Sequence, residues 1–195
     1  MMPQIILASS SVYRKILLER LLIKFTIVKP EMEEIRKESE TAYDSASRLA
    51  EEKAKKVSSQ FKEAIVIGCD QTAEYNNIQI QKPLDYKSAV LQLQELSGKK
   101  VNFHSAICVN FNKKKIFQKK VISFNVKYKN LSLNEIESYL KKEKPFNCIG
   151  SIKSEGLGIT LLDEINSSDP TAVVGLPLIT LVDMLKKIGI SINDS

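Results

Sequence analysis

Residues 64–72 read Ala-Ile-Val-Ile-Gly-Cys-Asp-Gln-Thr, and the interpretation of the whole chain starts from this stretch. The first four residues form an apolar run rich in β-branched side chains, which is typical of a strand covered on both faces. Gly68 interrupts the run, and Asp70 follows it closely. A carboxylate at the end of a buried strand is held rigidly while its oxygens reach solvent, a metal ion or a substrate. Asp70 is therefore the first candidate for chemistry, although Gly and Asp are also ordinary residues in a turn that ends a strand.

The composition indicates a globular protein that favours anionic ligands. With 195 residues, the chain can form one domain or two close lobes and bury a core without disulfides. Its 29 basic and 23 acidic side chains leave a net charge of +6, which favours nucleotides, nucleic acid or anionic lipid. The lysines are scattered along the chain, which favours a solvated basic surface over a nucleic-acid stripe. We therefore expect a small-molecule ligand and no specific nucleic-acid partner.

The cysteines and the single histidine limit which catalytic and metal-binding groups the chain can use. Cys69, Cys108 and Cys148 are odd in number and have no metal-ligand spacing, which predicts neither a disulfide framework nor a zinc site. No apolar run approaches the ~20 residues that cross a bilayer, so we expect a cytoplasmic protein without a membrane partner. His104 lies in an alternating pattern that predicts a partly exposed structural residue. Carboxylates, lysines and metal ions remain for catalysis.

Strand-like and helix-like patterns alternate along the chain. The predicted strands cover residues 4–8, 25–28, 64–67, 100–111, 116–127 and 159–165. The predicted helices cover residues 12–22, 41–61, 85–97, 132–142 and 177–188. Asp85 is expected to cap the third of them, and Ser132 with Glu135 is expected to form a capping box at the start of the fourth. Residues 72–75 and 78–81 are expected to pair as a hairpin through Asn76-Asn77, because asparagine tolerates the left-handed backbone of such turns.

Several segments offer groups that suit a phosphorylated ligand. The serines at 9–11 precede a helix, where they can cap its first turn or hold phosphate oxygens. Arg14 can add a bidentate contact to phosphate or lie exposed on the helix. The acidic loop at 30–34 suits Mg²⁺ or Mn²⁺, or it is simply solvated. Lys53 lies at the apolar stripe of its helix, where a lysine either snorkels to water or points into a cleft.

With these pieces assembled, the chain resembles the Maf family of nucleoside triphosphate pyrophosphatases along nearly its whole length. The opening motif appears as Leu-Ala-Ser-Ser-Ser-Val-Tyr-Arg at residues 7–14, with Val12 in place of the usual proline. Five further family motifs follow in order, at Glu34, at residues 50–54 with Lys53, at Asp70, at Lys82-Pro83 and at residues 174–178.

The resemblance implies a fold, a reaction and a set of roles. It implies a Maf/inosine-triphosphatase-like α/β fold, with a mixed elongated sheet, flanking helices and two lobes around a central cleft, in one domain over residues 1–195. It implies a divalent metal, Mg²⁺ or Mn²⁺, and cleavage between the α and β phosphates, and it is compatible with a homodimer. The implied roles are water activation by Asp70, metal placement by Glu34 and Asp70, and triphosphate binding by Ser9, Arg14, Lys53 and Lys82.

Three positions that set base choice in the family point to one subfamily. Common thymidine- or uridine-type members carry arginine, threonine and glutamine there, whereas this chain carries Tyr13, Gln71 and Glu155. That set resembles the 7-methyl-GTP pyrophosphatase subfamily, in which tryptophan is usual where this chain has Tyr13.

A cationic methylated guanine gains ~0.5–2 kcal/mol over an aromatic ring, and a glutamate can accept hydrogen bonds from both N1–H and the exocyclic amine of guanine. The alternatives are that Tyr13 packs on its neighbours and Glu155 pairs with Lys153, that the enzyme hydrolyses other triphosphates such as dTTP or UTP, or that the chain is a non-catalytic nucleotide- or RNA-binding module.

Overall fold

The computed structural model describes residues 3–192, and the chain divides into two compact units. The first unit contains the residues up to Gln71, Ser105–Ile122 and the residues from Asp169 onward. The second unit contains Thr72–His104 and Ser123–Ser168.

The structure belongs to the α/β class, as the resemblance to the Maf family implies. Its strands are β1 Ile5–Ala8, β2 Thr26–Ile27, β3 Ile65–Tyr75, β4 Ile78–Ile80, β5 Lys100–Phe111, β6 Ile116–Tyr128 and β7 Leu162–Asn166. Its α-helices are α1 Val12–Glu19, α2 Ala42–Ser58, α3 Tyr86–Leu96, α4 Leu133–Glu143 and α5 Leu178–Lys187. The sheet order is β2-β1-β3-β5-β6-β7, with β4 paired to β3, and strands β3, β5 and β6 contribute residues to both units.

Parallel pairing organises the first unit. Strand β1 lies parallel to β2 and β3, with Leu7 opposite Ile27 on one side and Ile67 on the other. Helix α1 begins after Ser11, whose Oγ accepts a hydrogen bond from the backbone N–H of Arg14 at 3.4 Å. It ends at Glu19, earlier than predicted, because the chain tightens and Leu22 adopts a left-handed φ of 54° that a continuing helix does not allow.

Gly68 does not interrupt β3, which continues to Tyr75, so the predicted break is wrong. A Cβ atom at this position would lie 2.3 Å from the carbonyl oxygen of Ala50 and 2.7 Å from the backbone nitrogen of Ala54. Helix α2 therefore rests directly on the strand backbone, and only glycine fits between them. This close approach brings the middle of α2 to the part of β3 that carries Asp70.

The turn and cap predictions hold in the second unit. The β3–β4 hairpin turns through Asn76 and Asn77, with left-handed φ values of 50° and 62°. Asp85 caps α3 by accepting from the Ser88 N–H at 2.8 Å, and Ser132 and Glu135 form the capping box of α4.

Two predictions in the second unit are wrong. Strand β7 begins only at Leu162, because a short 3-10 helix, Leu157–Leu161, occupies the start of the predicted strand. His104 is buried at 8% exposure, since β5 is covered on both faces here, and its Nδ1 lies 2.9 Å from Ser123 Oγ.

Two further predictions concern the state of the cysteines and the presence of membrane-crossing segments. Cys69, Cys108 and Cys148 are free thiols. Within residues 3–192, none of the helices combines the length and the apolar character that crossing a membrane requires.

Candidate functional site

A buried ion pair lies at the centre of the candidate site in the first unit. The ammonium of Lys53 donates to Asp70 Oδ1 at 2.6 Å, and Lys53 is 4% exposed while Asp70 is 5% exposed. The same ammonium lies 2.7 Å from Glu34 Oε1, and the Glu34 side chain is half-exposed. One cation therefore joins two carboxylates that lie far apart in the sequence.

The apolar packing of α2 explains why Lys53 points inward. Ala46, Ala50, Ala54 and Val57 are fully buried against β1 and β3 in one apolar cluster. Lys53 lies on the same side of the helix, and its stem follows this surface to the two carboxylates. Of the two orientations open to it, Lys53 takes the inward one, and it does not snorkel to water.

Burial and charge act in opposite directions on the acidic groups of β3. Burial raises the pKa of Asp70 above its ordinary value, while the neighbouring charges of Lys53 and Arg14 act against that rise. Burial also raises the pKa of Cys69 to about 11, so its thiol stays neutral near pH 7. Asp70, and not Cys69, is therefore the reactive candidate on this part of the strand.

Glu34 and Asp70 form an oxygen pair that suits a hard divalent cation. The ammonium between them shows that this position favours positive charge. Mg²⁺ is commonly held by one or two carboxylates together with substrate phosphates. In the part of the chain that the structure describes, no three His, Cys, Asp or Glu side chains are placed to hold a metal ion. These two carboxylates thus fit a metal ion that takes its remaining ligands from a bound substrate. They do not fit a site in which the protein supplies every ligand.

Arg48 holds the irregular loop that carries Glu34. Its Nε and Nη2 each donate to the Glu40 carboxylate at 2.6 Å, and Nη2 also donates to the carbonyl of Ile35 at 3.0 Å. Its Nη1 donates to Glu52 at 3.0 Å, which fixes the guanidinium on α2. Arg48 therefore anchors the residue next to Glu34, and Arg48 is a positioning residue that the sequence analysis missed.

Arg14, predicted to bind phosphate, makes two bonds to the protein backbone. Its Nη1 donates to the carbonyl of Cys69 at 2.9 Å, and its Nε donates to the carbonyl of Gly175 at 3.0 Å. Gly175 ends the short 3-10 helix Pro170–Val174 with a left-handed φ of 112°. Arg14 thus ties this helix to the residue before Asp70. Within residues 3–192 no acceptor bonds to Nη2, which can therefore donate to a phosphate oxygen.

Ser9 and Tyr13 lie close to Arg14 along the chain. Ser9 is buried, and its Oγ accepts from the Ser11 N–H at 3.1 Å, so it shapes the turn before α1. Tyr13 is half-buried in the first turn of α1. Phosphate binding by Ser9 and base stacking by Tyr13 stay predictions.

Gln71 is held by the same segment as Arg14. Its Nε2 lies 2.9 Å from both Ser105 Oγ and the Ala172 carbonyl, and 3.2 Å from the Val173 carbonyl. Ser105 Oγ also donates to the Ala172 carbonyl at 2.6 Å. The amide nitrogen of Gln71 is therefore committed to the protein, and Oε1 is the atom that can accept from a ligand.

The two remaining predicted site residues, Lys82 and Glu155, lie exposed in the second unit. Glu143 holds the loop around Glu155 from both sides: it accepts from Lys153 Nζ at 2.5 Å and from the Leu157 N–H at 2.7 Å. Lys153 thus has Glu143 as an ion-pair partner, which weakens the alternative that Lys153 neutralises Glu155.

Comparison with known proteins identifies the family. The model of the Maf-like protein family matches residues 4–188. The chain belongs to the Maf-like protein family. A protein of Methylobacillus flagellatus named 7-methyl-GTP pyrophosphatase is 46% identical over 98% of this chain and 100% of its own length.

Other relatives carry the same name. One of Nitrosospira multiformis is 42% identical over 97% of this chain and 96% of its own length, and one of Burkholderia pseudomallei is 45% identical over 96% and 88%. Among solved structures, the Staphylococcus aureus Ham1 protein aligns with a TM-score of 0.40 and 12% identity, over 65% of this chain and 71% of its own. The family assignment rests on the sequence matches.

We expect Arg48→Gln to loosen the loop that carries Glu34. The substitution removes a bidentate charged contact, and hydrogen bonds to charged groups contribute about 1.5–3 kcal/mol each. Hydrogen exchange should accelerate at the amides of residues 35–41. Glu51→Gln is the matched control, because Glu51 lies on the same helix as Arg48 but pairs with Lys55 and with Lys119 of β6, and its loss leaves the loop untouched. Equal exchange in both variants would show that Arg48 does not anchor the loop.

We expect Glu143→Gln to destabilise the second unit in a pH-dependent way. The bonds from Lys153 and from the Leu157 N–H lower the pKa of Glu143 in the folded protein. Its stabilisation is therefore present above the unfolded pKa of about 4.3 and is lost as pH falls through the folded value. Thermal melts should show a lower Tm for the variant at pH 7 and a shrinking difference as the pH is lowered below about 4.

Glu137→Gln is the control for that experiment, because Glu137 forms an exposed pair with Lys141 on the same helix, α4. A constant Tm difference for Glu143→Gln across the pH range would contradict the assigned role of its charge.

Proposed function

We propose that this protein is a nucleoside triphosphate pyrophosphatase that converts 7-methyl-GTP to 7-methyl-GMP and pyrophosphate. The observation that carries the proposal is the buried pair of Lys53 and Asp70 with Glu34 beside it. The names of relatives that are 42–46% identical over nearly the whole chain support the substrate. The three free cysteines suit a reducing compartment, which supports the cytoplasm as its location.

Asp70 is the proposed general base. Lys53 bonds to Oδ1, so Oδ2 is the oxygen that accepts a proton from the attacking water. The rigid strand and the ammonium keep the carboxylate in one orientation, which proton transfer requires. Asp70 and Lys53 would thus act as one unit, with Lys53 also neutralising phosphate charge.

Glu34 and Asp70 are the proposed ligands of Mg²⁺ or Mn²⁺. When bound, such an ion lowers the pKa of a coordinated water and neutralises charge on phosphate oxygens. Glu34 lies at the end of the loop that Arg48 anchors, so its carboxylate is pre-positioned. Ser9, Nη2 of Arg14 and Lys82 are the proposed further contacts to the triphosphate.

Tyr13, Gln71 and Glu155 are the proposed determinants of base choice. Tyr13 offers a ring face to the cationic base, and Glu155 offers two acceptor oxygens to the guanine N1–H and amine. Gln71 can contribute only its Oε1, because its nitrogen donates to Ser105 and Ala172. Acceptor groups therefore dominate this set, which matches a base that presents donors.

We also propose that the two units act together as a single functional domain.

Specificity constants for 7-methyl-GTP, GTP, UTP and dTTP test the proposed function directly. We expect pyrophosphate release in Mg²⁺ or Mn²⁺, highest with 7-methyl-GTP, and a return to background with a chelator. Preference for UTP or dTTP would support the other enzymatic assignment. Binding without turnover of any triphosphate would support a nucleotide-binding module and overturn the proposal.

We expect Asp70→Asn to reduce kcat by at least about 100-fold while nucleotide binding stays within about tenfold. The amide keeps the shape of the side chain but cannot take a proton from water. Single-turnover rates and equilibrium binding separate the two effects, and a thermal melt checks that Lys53 is tolerated without its buried partner. Near-normal turnover by a folded variant would remove Asp70 from the mechanism.

We expect Glu155→Gln to lower kcat/KM for 7-methyl-GTP by about 10- to 100-fold, because a donor would then face a donor at a cost of about 1–3 kcal/mol. The loss should be smaller for UTP, whose base lacks the paired donors. Lys82→Ala is the comparison variant, since loss of a phosphate contact should affect all triphosphates alike. If Glu155→Gln also slowed every nucleotide equally, Glu155 would not read the base.

A further inference from the structure

An open cavity on the surface of the first unit lies apart from Asp70. It has a volume of about 520 Å³ and is lined by the end of α2 and by the β5–β6 connection, including Ser58, Asn110, Lys115 and Phe117. Ligand-binding cavities typically have volumes of about 300–1,000 Å³, so this one is large enough for a small molecule.

The cavity lies toward the other end of β3 from the candidate site. Ser105 on β5 contacts Gln71, whereas Lys113, just beyond β5, donates its N–H to the carbonyl of Lys62 at 3.1 Å. Strands β3 and β5 therefore run in opposite directions. Asn110 lies about 16 Å along β5 from Ser105, at roughly 3.3 Å per residue. A ligand here would not touch Asp70.

The floor of the cavity contains a buried amide. Asn110 is only 7% exposed and interrupts an apolar stretch of β5. Its Nδ2 donates to Ser58 Oγ at 2.7 Å, and Ser58 Oγ in turn donates to the Lys55 carbonyl. Within residues 3–192, no donor reaches Asn110 Oδ1. This oxygen is open to solvent, so it can accept a hydrogen bond from an N–H group of a ligand.

The rim of the cavity is cationic and aromatic. The Phe117 side chain is 45% exposed, and the ammonium of Lys55 lies 5.3 Å from its ring centroid. Lys115 follows the turn after β5 with a left-handed φ of 53°, and its ammonium has no ion-pair partner in the part of the chain that the structure describes. The rim thus offers a ring face beside positive charge.

We propose that this cavity binds a small anion that carries a flat, hydrogen-bond-donating ring, which is the chemistry of a nucleoside monophosphate. The ring lies against Phe117, an N–H of the ring donates to Asn110 Oδ1, and the phosphate pairs with Lys115.

A single tryptophan reporter tests this proposal. The chain has no tryptophan, so Phe117→Trp places the only indole at the rim of the cavity. Titration with GMP should change its fluorescence saturably, with a Kd in the range of about 10 μM to 1 mM. Guanosine and inorganic phosphate alone, each lacking one half of the ligand, should bind more weakly. GMP is not a triphosphate, so this result does not depend on the proposed hydrolysis.

Matched variants in the reporter background locate the site. Lys115→Ala and Asn110→Ala should each raise the Kd for GMP by about tenfold, with thermal melts to confirm folding. Lys113→Ala should leave it unchanged, because Lys113 lies in the same turn but pairs with Glu63 and does not line the cavity.

Three results would overturn the proposal. They are the absence of a saturable change up to about 10 mM GMP, equal responses to GMP and inorganic phosphate, and a fluorescence change that follows protein concentration without any ligand. The last would assign this surface to contact between copies of the chain.

Discussion

The charge pair of Lys53 and Asp70 is the constraint on which the rest of the first unit depends. Moving two ions out of water costs several kcal/mol each, and their attraction offsets this only with close geometry. Here the two atoms lie 2.6 Å apart in surroundings that expose about one twentieth of either residue. An apolar pair of similar volume would serve stability as well or better. Stability alone therefore does not account for the pair, which is consistent with the catalytic role proposed for it, and Glu34 lies at its solvent-facing side.

Polar side chains hold irregular segments in both units. Arg48 fixes the loop next to Glu34, Glu143 brackets the loop that carries Glu155, and Gln71 with Ser105 fixes the segment at 172–173. These segments have few backbone ladders of their own, so charged and amide groups on neighbouring helices and strands supply the missing bonds. The rigidity of these segments thus comes from side chains on neighbouring helices and strands.

The sequence predicts the helices, strands and turns well. It predicts poorly which side chains contact each other. Hydrophobic periodicity, the Asn76-Asn77 turn and the caps at Asp85 and Ser132 are local signals, and the structure contains each of them. The family motifs identify Asp70 and Lys53 as site residues, and the structure brings the two together. Arg48 and Glu143 have no such signal, because a charged residue on a helix is usually solvated and its partner cannot be read from spacing. The engagement of Gln71 with Ala172 joins positions about a hundred residues apart, which no local pattern reports.

The contact at Gly68 has a mechanical consequence. Elsewhere in the core, side chains separate helix from strand, and an exchange of one apolar residue for another changes that spacing by tenths of an ångström. At Gly68 backbone meets backbone, so no deformable layer lies between α2 and β3. The separation of the ammonium and the carboxylate is then insulated from drift in core volume. Apolar residues of this unit can then be exchanged while the distance between the two charged groups stays constant.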